Sequence, residues 1–95
     1  MPDDTILDEA KALVYGDRGA DYGHPADDYG RVAKMWSAIL GVEVTAKHAA
    51  LCMVCLKISR EVNKPKRDNL VDGAGYFAVA ALIDEREGSD NDPRR

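Results

Sequence analysis

The run Ala49-Ala50-Leu51-Cys52-Met53-Val54-Cys55-Leu56 is apolar in every direction around a 3.6-residue period. Thr45 stands before it as a helix cap. A helix that is apolar all round has to be covered on all sides. A second helix, capped by Asp68 or Asn69, ends in Tyr76-Phe77-Ala78-Val79-Ala80-Ala81-Leu82-Ile83, nearly as uniformly apolar. Between them Asn63-Lys64-Pro65-Lys66-Arg67 holds a helix-stopping proline among basic residues, so the two helices are predicted to be antiparallel neighbours. A chain of 95 residues buries too small a share of its surface to cover both helices alone. A homo-oligomer, a dimer or higher, is therefore expected, most simply a symmetric pair of these hairpins.

The rest of the chain reads as cover for this hairpin. Thr5 caps a first helix whose Ile6, Leu7, Ala10, Leu13 and Val14 share a face, and Gly16 stops it. Pro25 opens a second helix with Asp27 and Asp28 at its positive end. Its Tyr29, Val32, Met35, Trp36, Ile39 and Leu40 form an apolar stripe, which Gly41 ends. Four helices are expected, near residues 5–15, 26–40, 45–62 and 69–86, and no segment has the strand period. The fold class is all-α, with a buried antiparallel hairpin, as one domain over residues 1–87. Residues 88–95 are polar and charged and are predicted to be a disordered tail.

Cys52 and Cys55 lie mid-helix in the apolar run and are expected to be buried core thiols, not a metal or redox pair. No apolar span is long enough for a membrane, and the chain opens on Asp3 and Asp4 without a signal peptide, so a cytoplasmic protein is expected. The net charge of -4 is segregated: residues 1–30 carry eight acids and two bases, residues 31–67 two acids and eight bases, and residues 68–95 seven acids and three bases. The overall acidity argues against nucleic acid as a partner, which would need an uncompensated basic face.

Two places carry chemistry. The loop Gly16-Asp17-Arg18-Gly19-Ala20-Asp21-Tyr22-Gly23-His24-Pro25 is rich in glycine and charge, a composition that serves function more than stability. Arg18, Tyr22, Gly23 and His24 are its candidate ligand contacts, with a capping role for His24 equally open. On the hairpin, Lys57 and Arg60 share one helix face, and Asp68, Asp72 and Tyr76 repeat every four residues on the other. With the turn centred near Pro65, Arg60 is expected level with Asp72 and Lys57 one turn further in. Such a cluster is either an internal set of ion pairs or a polar site. In a site, Lys57, Arg60 and Arg67 bind phosphate, Tyr22 or Tyr76 stacks on a base, and Asp68 and Asp72 hold a cation such as Mg2+. His48, beside Lys47, reads as a surface or interface residue.

From Gly16 to Ala81 the motifs Tyr-Gly-His-Pro, a Trp-Ser helix, a Leu-Lys turn and an Asp-x-x-x-Asp-x-x-Gly-Tyr ending occur in one order. This pattern resembles a family of small bacteriophage and prophage proteins of unassigned function, which implies a phage context. Asn69-Leu70-Val71-Asp72-Gly73-Ala74-Gly75-Tyr76 is more loosely similar to the second half of the acidic signature of MazG-like all-α nucleotide pyrophosphohydrolases. In that signature Glu-x-x-Asp and Glu-Glu-x-x-Glu on two helices hold magnesium against a triphosphate. Here Asn69 stands in place of a Glu, and the preceding helix supplies only Glu61. Three functions are therefore expected in turn. The first is a phage nucleotide-binding protein that sequesters a phosphorylated signal of host immunity without turnover and has no catalytic residue. The second is a pyrophosphohydrolase using Glu61 and Asp72. The third is a helical module that inhibits a host protein.

Overall fold

A computed structural model of the protein describes residues 4–16 and 21–88. Among them are four long helices, α1 (Ile6–Tyr15), α2 (Pro25–Leu40), α3 (Ala46–Asn63) and α4 (Arg67–Arg86), and no strand. The all-α class is as expected from the sequence, and each helix falls within two residues of its expected bounds. Residues 1–3, Arg18 with its neighbours at 17–20, and the polar tail at 89–95 lie outside the described residues.

The starts follow local chemistry. Thr5 forms a capping box with Asp8: the Thr5 hydroxyl accepts the Asp8 N–H at 3.1 Å, and the Asp8 carboxylate accepts the Thr5 N–H at 2.9 Å. Thr45 caps α3 in the same way, with His48 in the answering position and its Nδ1 at 3.5 Å from the Thr45 N–H. His48 is exposed. Gly41 ends α2 in the left-handed conformation at φ 71°. The Ser37 hydroxyl accepts the Val44 N–H at 2.8 Å and donates to the Ala33 carbonyl at 2.7 Å, fixing the α2–α3 link.

The fourth helix departs from expectation at its start. It opens at Arg67 with Lys66 in the cap position and no side-chain cap, so neither Asp68 nor Asn69 plays that part. Asn69 is buried and its amide faces α3. The hairpin is antiparallel, since Lys57 meets Asp72 and Glu61 meets Asn69, one number falling as the other rises. Its register sits one turn from the expected one: Lys57, not Arg60, is level with Asp72.

The core gathers Ala46, Ala49, Ala50 and Val54 of α3, Val79, Ala80 and Ile83 of α4, Ala26 and Tyr29 of α2, and Val14 of α1. Val79 and Ile83 are the largest side chains removed entirely from water, each contributing about 1.5–3 kcal/mol by transfer. Trp36 packs at the edge of this cluster. Along α2 only Ala26, Tyr29 and Ala33 are buried, and Met35, Ile39 and Leu40 at its far end are exposed, contrary to the stripe read from sequence. The first half of α2 packs; the second half projects.

Among the described residues α1 packs on α4 alone. The two run parallel, because Glu9 pairs with Arg67 while Val14 lies against Gly75. A Cβ at Gly75 would stand 3.4 Å from a Val14 methyl, so the glycine is what lets the two backbones approach.

Cys52 and Cys55 are both exposed, correcting the expectation of buried thiols. Period alone does not say which side of a uniformly apolar helix is covered; here α2 and α4 both lie on the Ala49, Ala50 and Val54 side. The opposite side of the hairpin keeps Ile58, Val62, Leu70 and Phe77 in water. No described helix is long and apolar enough to cross a membrane.

Candidate functional site

The hairpin turn is tied by a small polar network. The Glu61 carboxylate accepts the backbone N–H of Lys66 at 2.9 Å and the Asn69 amide at 3.2 Å. The Asn69 N–H in turn donates to the Lys66 carbonyl at 3.1 Å. Glu61 thus does for the start of α4 what a capping side chain would do, reaching from the preceding helix. One turn deeper, Lys57 Nζ lies 3.0 Å from Asp72 Oδ2, with the two side chains 15% and 25% exposed.

Beside this network a crevice of about 520 Å3 opens, lined by Leu56, Ser59, Arg60, Asn63, Lys64, Lys66 and Asn69. Three of its lining residues are cationic. Among the described residues none of the three has a carboxylate within ion-pair distance. Ser59, Asn63 and the buried Asn69 add neutral hydrogen-bonding groups to the same wall. A concave surface with uncompensated lysine and arginine and neutral donors suits a phosphate or carboxylate ligand.

The other residues singled out from the sequence are distributed elsewhere. The Arg67 guanidinium bonds the Glu9 carboxylate and the Asp4 carbonyl, which makes it a clamp for α1. Tyr76 stands edge-on to Tyr29, with ring centroids 6.4 Å apart and an interplanar angle of 86°. It lines a cavity of about 80 Å3 with Leu13, Val14, Asp72, Gly75 and Val79, room for water and not for a base. Asp68 is exposed on the first turn of α4, and no group of three or more His, Cys, Asp or Glu residues among those described converges on one point.

The Tyr22-Gly23-His24 segment does not join the turn. Gly23 has φ 79°, Tyr22 is exposed, and His24 Nδ1 accepts the Ala26 N–H at 3.0 Å as the cap of α2. Arg86 at the end of α4 lies 3.5 Å from Asp27, just past that cap. The loop therefore belongs to the C-terminal part of α4 and the crevice to its N-terminal end, and a helix of this length runs roughly 30 Å. The two places read from the sequence therefore lie apart in a single copy and do not line one pocket. Ser59, Asn63, Lys64 and Lys66 were not singled out, though the basic residues around Pro65 were the signal that pointed to them.

Comparison with known proteins gives a family and no activity. A family model described as a domain of unknown function, DUF6378, matches residues 5–84. A protein named Gene 55 protein of Mycobacterium phage D29 is 33% identical over 93 residues, covering 97% of this chain and 61% of that protein. The Gene 55 protein of Mycobacterium phage L5 is 39% identical over 77 residues, covering 79% of this chain and 49% of that protein. The chain thus spans only half to three-fifths of the length of these relatives. No solved structure matches it.

Proposed function

We propose, since the chain belongs to the DUF6378 family and has relatives in phages, that it binds a phosphorylated small molecule of nucleotide size and does not turn it over. The observation that carries this reading is the crevice at the hairpin turn, where Arg60, Lys64 and Lys66 meet without carboxylate partners among the described residues. Its volume falls within the range of about 300–1,000 Å3 usual for ligand pockets. Arg60 offers a planar fork for two phosphate oxygens, and the two lysines add mobile charge around it. Asn63 and Ser59 on the same wall would meet hydroxyl or ring atoms, while the Asn69 NH2 stays bonded to Glu61 and the Lys64 carbonyl.

Capture is favoured over hydrolysis by what the acids already do. Asp72 is held by Lys57, and Glu61 is spent on the Asn69 amide and the Lys66 N–H. A magnesium-dependent pyrophosphohydrolase would need Asp68, Asp72 and Glu61 turned toward one ion against the phosphates. The phage setting makes nucleotide signals of host defence the first ligands to try, with Mg2+ tested as a companion of the phosphates.

The test is calorimetric titration with linear and cyclic nucleotides, in parallel with phosphate-release assays. Micromolar binding is expected that weakens by about tenfold or more in the Arg60→Gln, Lys64→Gln double variant and weakens with salt. Absence of binding at high micromolar concentration across the panel refutes it. Metal-dependent release of pyrophosphate that disappears in Asp72→Ala would replace capture with hydrolysis.

A further inference from the structure

On the side of the hairpin away from α1 and α2, two apolar seams run side by side. Leu51, Cys55, Ile58 and Val62 follow one another on α3 at steps of four, three and four, and Leu70, Ala74, Phe77 and Ala81 do so on α4. These are the steps of helices that pack along their length against other helices. Ile58 and Phe77 are each 59% exposed, and Val62 is 82% exposed. Between the seams lies a trough of about 260 Å3 lined by Val54, Ile58, Val62, Leu70, Gly73 and Phe77, with the aliphatic part of Lys57 at its floor.

We propose that this face is covered by a second copy of the same chain, with α4 of one protomer lying antiparallel on α4 of its partner about a two-fold axis between Gly73 and Phe77. Three observations select a second copy. The first is shape. A Cβ built on Gly73 meets nothing nearer than the Lys57 Cβ at 3.9 Å, so the glycine leaves a hole in the seam one turn from the protruding Phe77 ring. A two-fold axis between them seats each ring in the other copy's hole, which is the self-complementarity an isologous interface requires.

The second is the order of the seam. Counting outward from that axis, Leu70 falls level with Ala80 and one residue from Ala81, large against small. Charge is the third. The α4 seam begins beside the exposed Lys66 and ends beside the exposed Glu85, the charges left over once Arg67 is held by Glu9 and Asp84 by Lys47. Antiparallel packing sets these unlike ends together, whereas parallel packing would set like on like. On the α3 wheel, Leu56, Arg60 and Asn63 lie roughly opposite Ile58 and Val62, so Arg60 and Lys64 stay in an open crevice when the seam is covered. The resulting dimer is a four-helix bundle of two hairpins.

Light scattering coupled to size exclusion, with circular dichroism on each variant, tests this. The wild-type chain is expected to have twice the protomer mass. Phe77→Asp and Gly73→Leu should each halve that mass while keeping the helical signal, because Phe77 faces water in one protomer and a Cβ at half-buried Gly73 meets nothing nearer than 3.9 Å. Lys66→Glu should weaken the dimer, and Lys66→Glu with Glu85→Lys should restore it. A wild-type monomer at high micromolar concentration overturns the proposal, as does a dimer that both Phe77→Asp and Gly73→Leu leave intact. Failure of the charge exchange to restore the Lys66→Glu loss overturns the antiparallel arrangement.

Discussion

Replacing Asp72 with alanine would strand the Lys57 ammonium in a place where water reaches it poorly. The pair is 3.0 Å apart with side chains 15% and 25% exposed. Breaking a fully buried pair costs about 3–5 kcal/mol, and breaking an exposed one at most about 1 kcal/mol. The intermediate exposure places this loss near 2 kcal/mol. Alanine recovers up to about 0.7 kcal/mol over aspartate in a helix interior, leaving a net loss of roughly 1–1.5 kcal/mol. For a domain of this size that lowers Tm by about 6–10 °C.

Adding Lys57→Met removes the stranded charge, so the double variant should regain most of the loss, with a coupling of about 1 kcal/mol in the double-mutant cycle. Urea unfolding followed by circular dichroism measures all four proteins, at one fixed concentration because self-association makes the midpoint concentration-dependent. An Asp72→Ala variant within about 0.5 kcal/mol of wild type would refute the reasoning. So would a double variant showing the plain sum of the single losses. Either result would free the Asp72 carboxylate for a ligand or ion and return weight to the hydrolase reading.

Ile83 is wholly removed from water where α2, α3 and α4 meet, so Ile83→Ala should cost about 2–5 kcal/mol in the same unfolding experiment; a cost below about 1 kcal/mol would displace the core from this end of α4. Asp8 has its carboxyl held below the ordinary aspartate value of 3.8 by hydrogen bonds from the Thr5 backbone and hydroxyl. Its contribution is therefore fully present above that value and is lost as pH falls through the lower folded-state value. In pH-dependent helicity of the folded protein, Asp8→Asn should flatten the acid-side change belonging to α1, and an unchanged profile would remove the cap from the account.

Most of the fold was legible because the helix boundaries are written in local chemistry. Thr5, Pro25 and Thr45 mark starts, and Gly16 and Gly41 mark stops. The start of α4 was misread because its orphan donor is met by Glu61 from another helix, a contact no local pattern encodes. Cys52 and Cys55 were placed inside because an all-apolar helix offers no period from which to pick its covered side. Met35, Ile39 and Leu40 were placed inside because a stripe tells which face packs but not how far along the helix its neighbours reach. The basic turn was legible from composition alone. That Lys57 belongs to Asp72 was not, since a register error of one turn reassigns every partner across a hairpin, and the Arg67–Glu9 pair was not, since it joins helices 58 residues apart in the chain.

The attachment of α1 to α4 alone has a consequence for the order in which the molecule comes apart. Its Ala10 and Val14 are buried, but Leu7 and Leu13 face water, and it is held to α4 by the contact at Gly75 and the Arg67–Glu9 clamp among others along that helix. A helix of 10 residues has little stability of its own once lifted off. It therefore forms a separate opening unit whose amides should exchange with solvent well before those of α3 and α4. Lifting α1 would uncover the apolar back of α4 while leaving the hairpin turn closed, so that partial unfolding presents a sticky surface without releasing whatever the crevice holds.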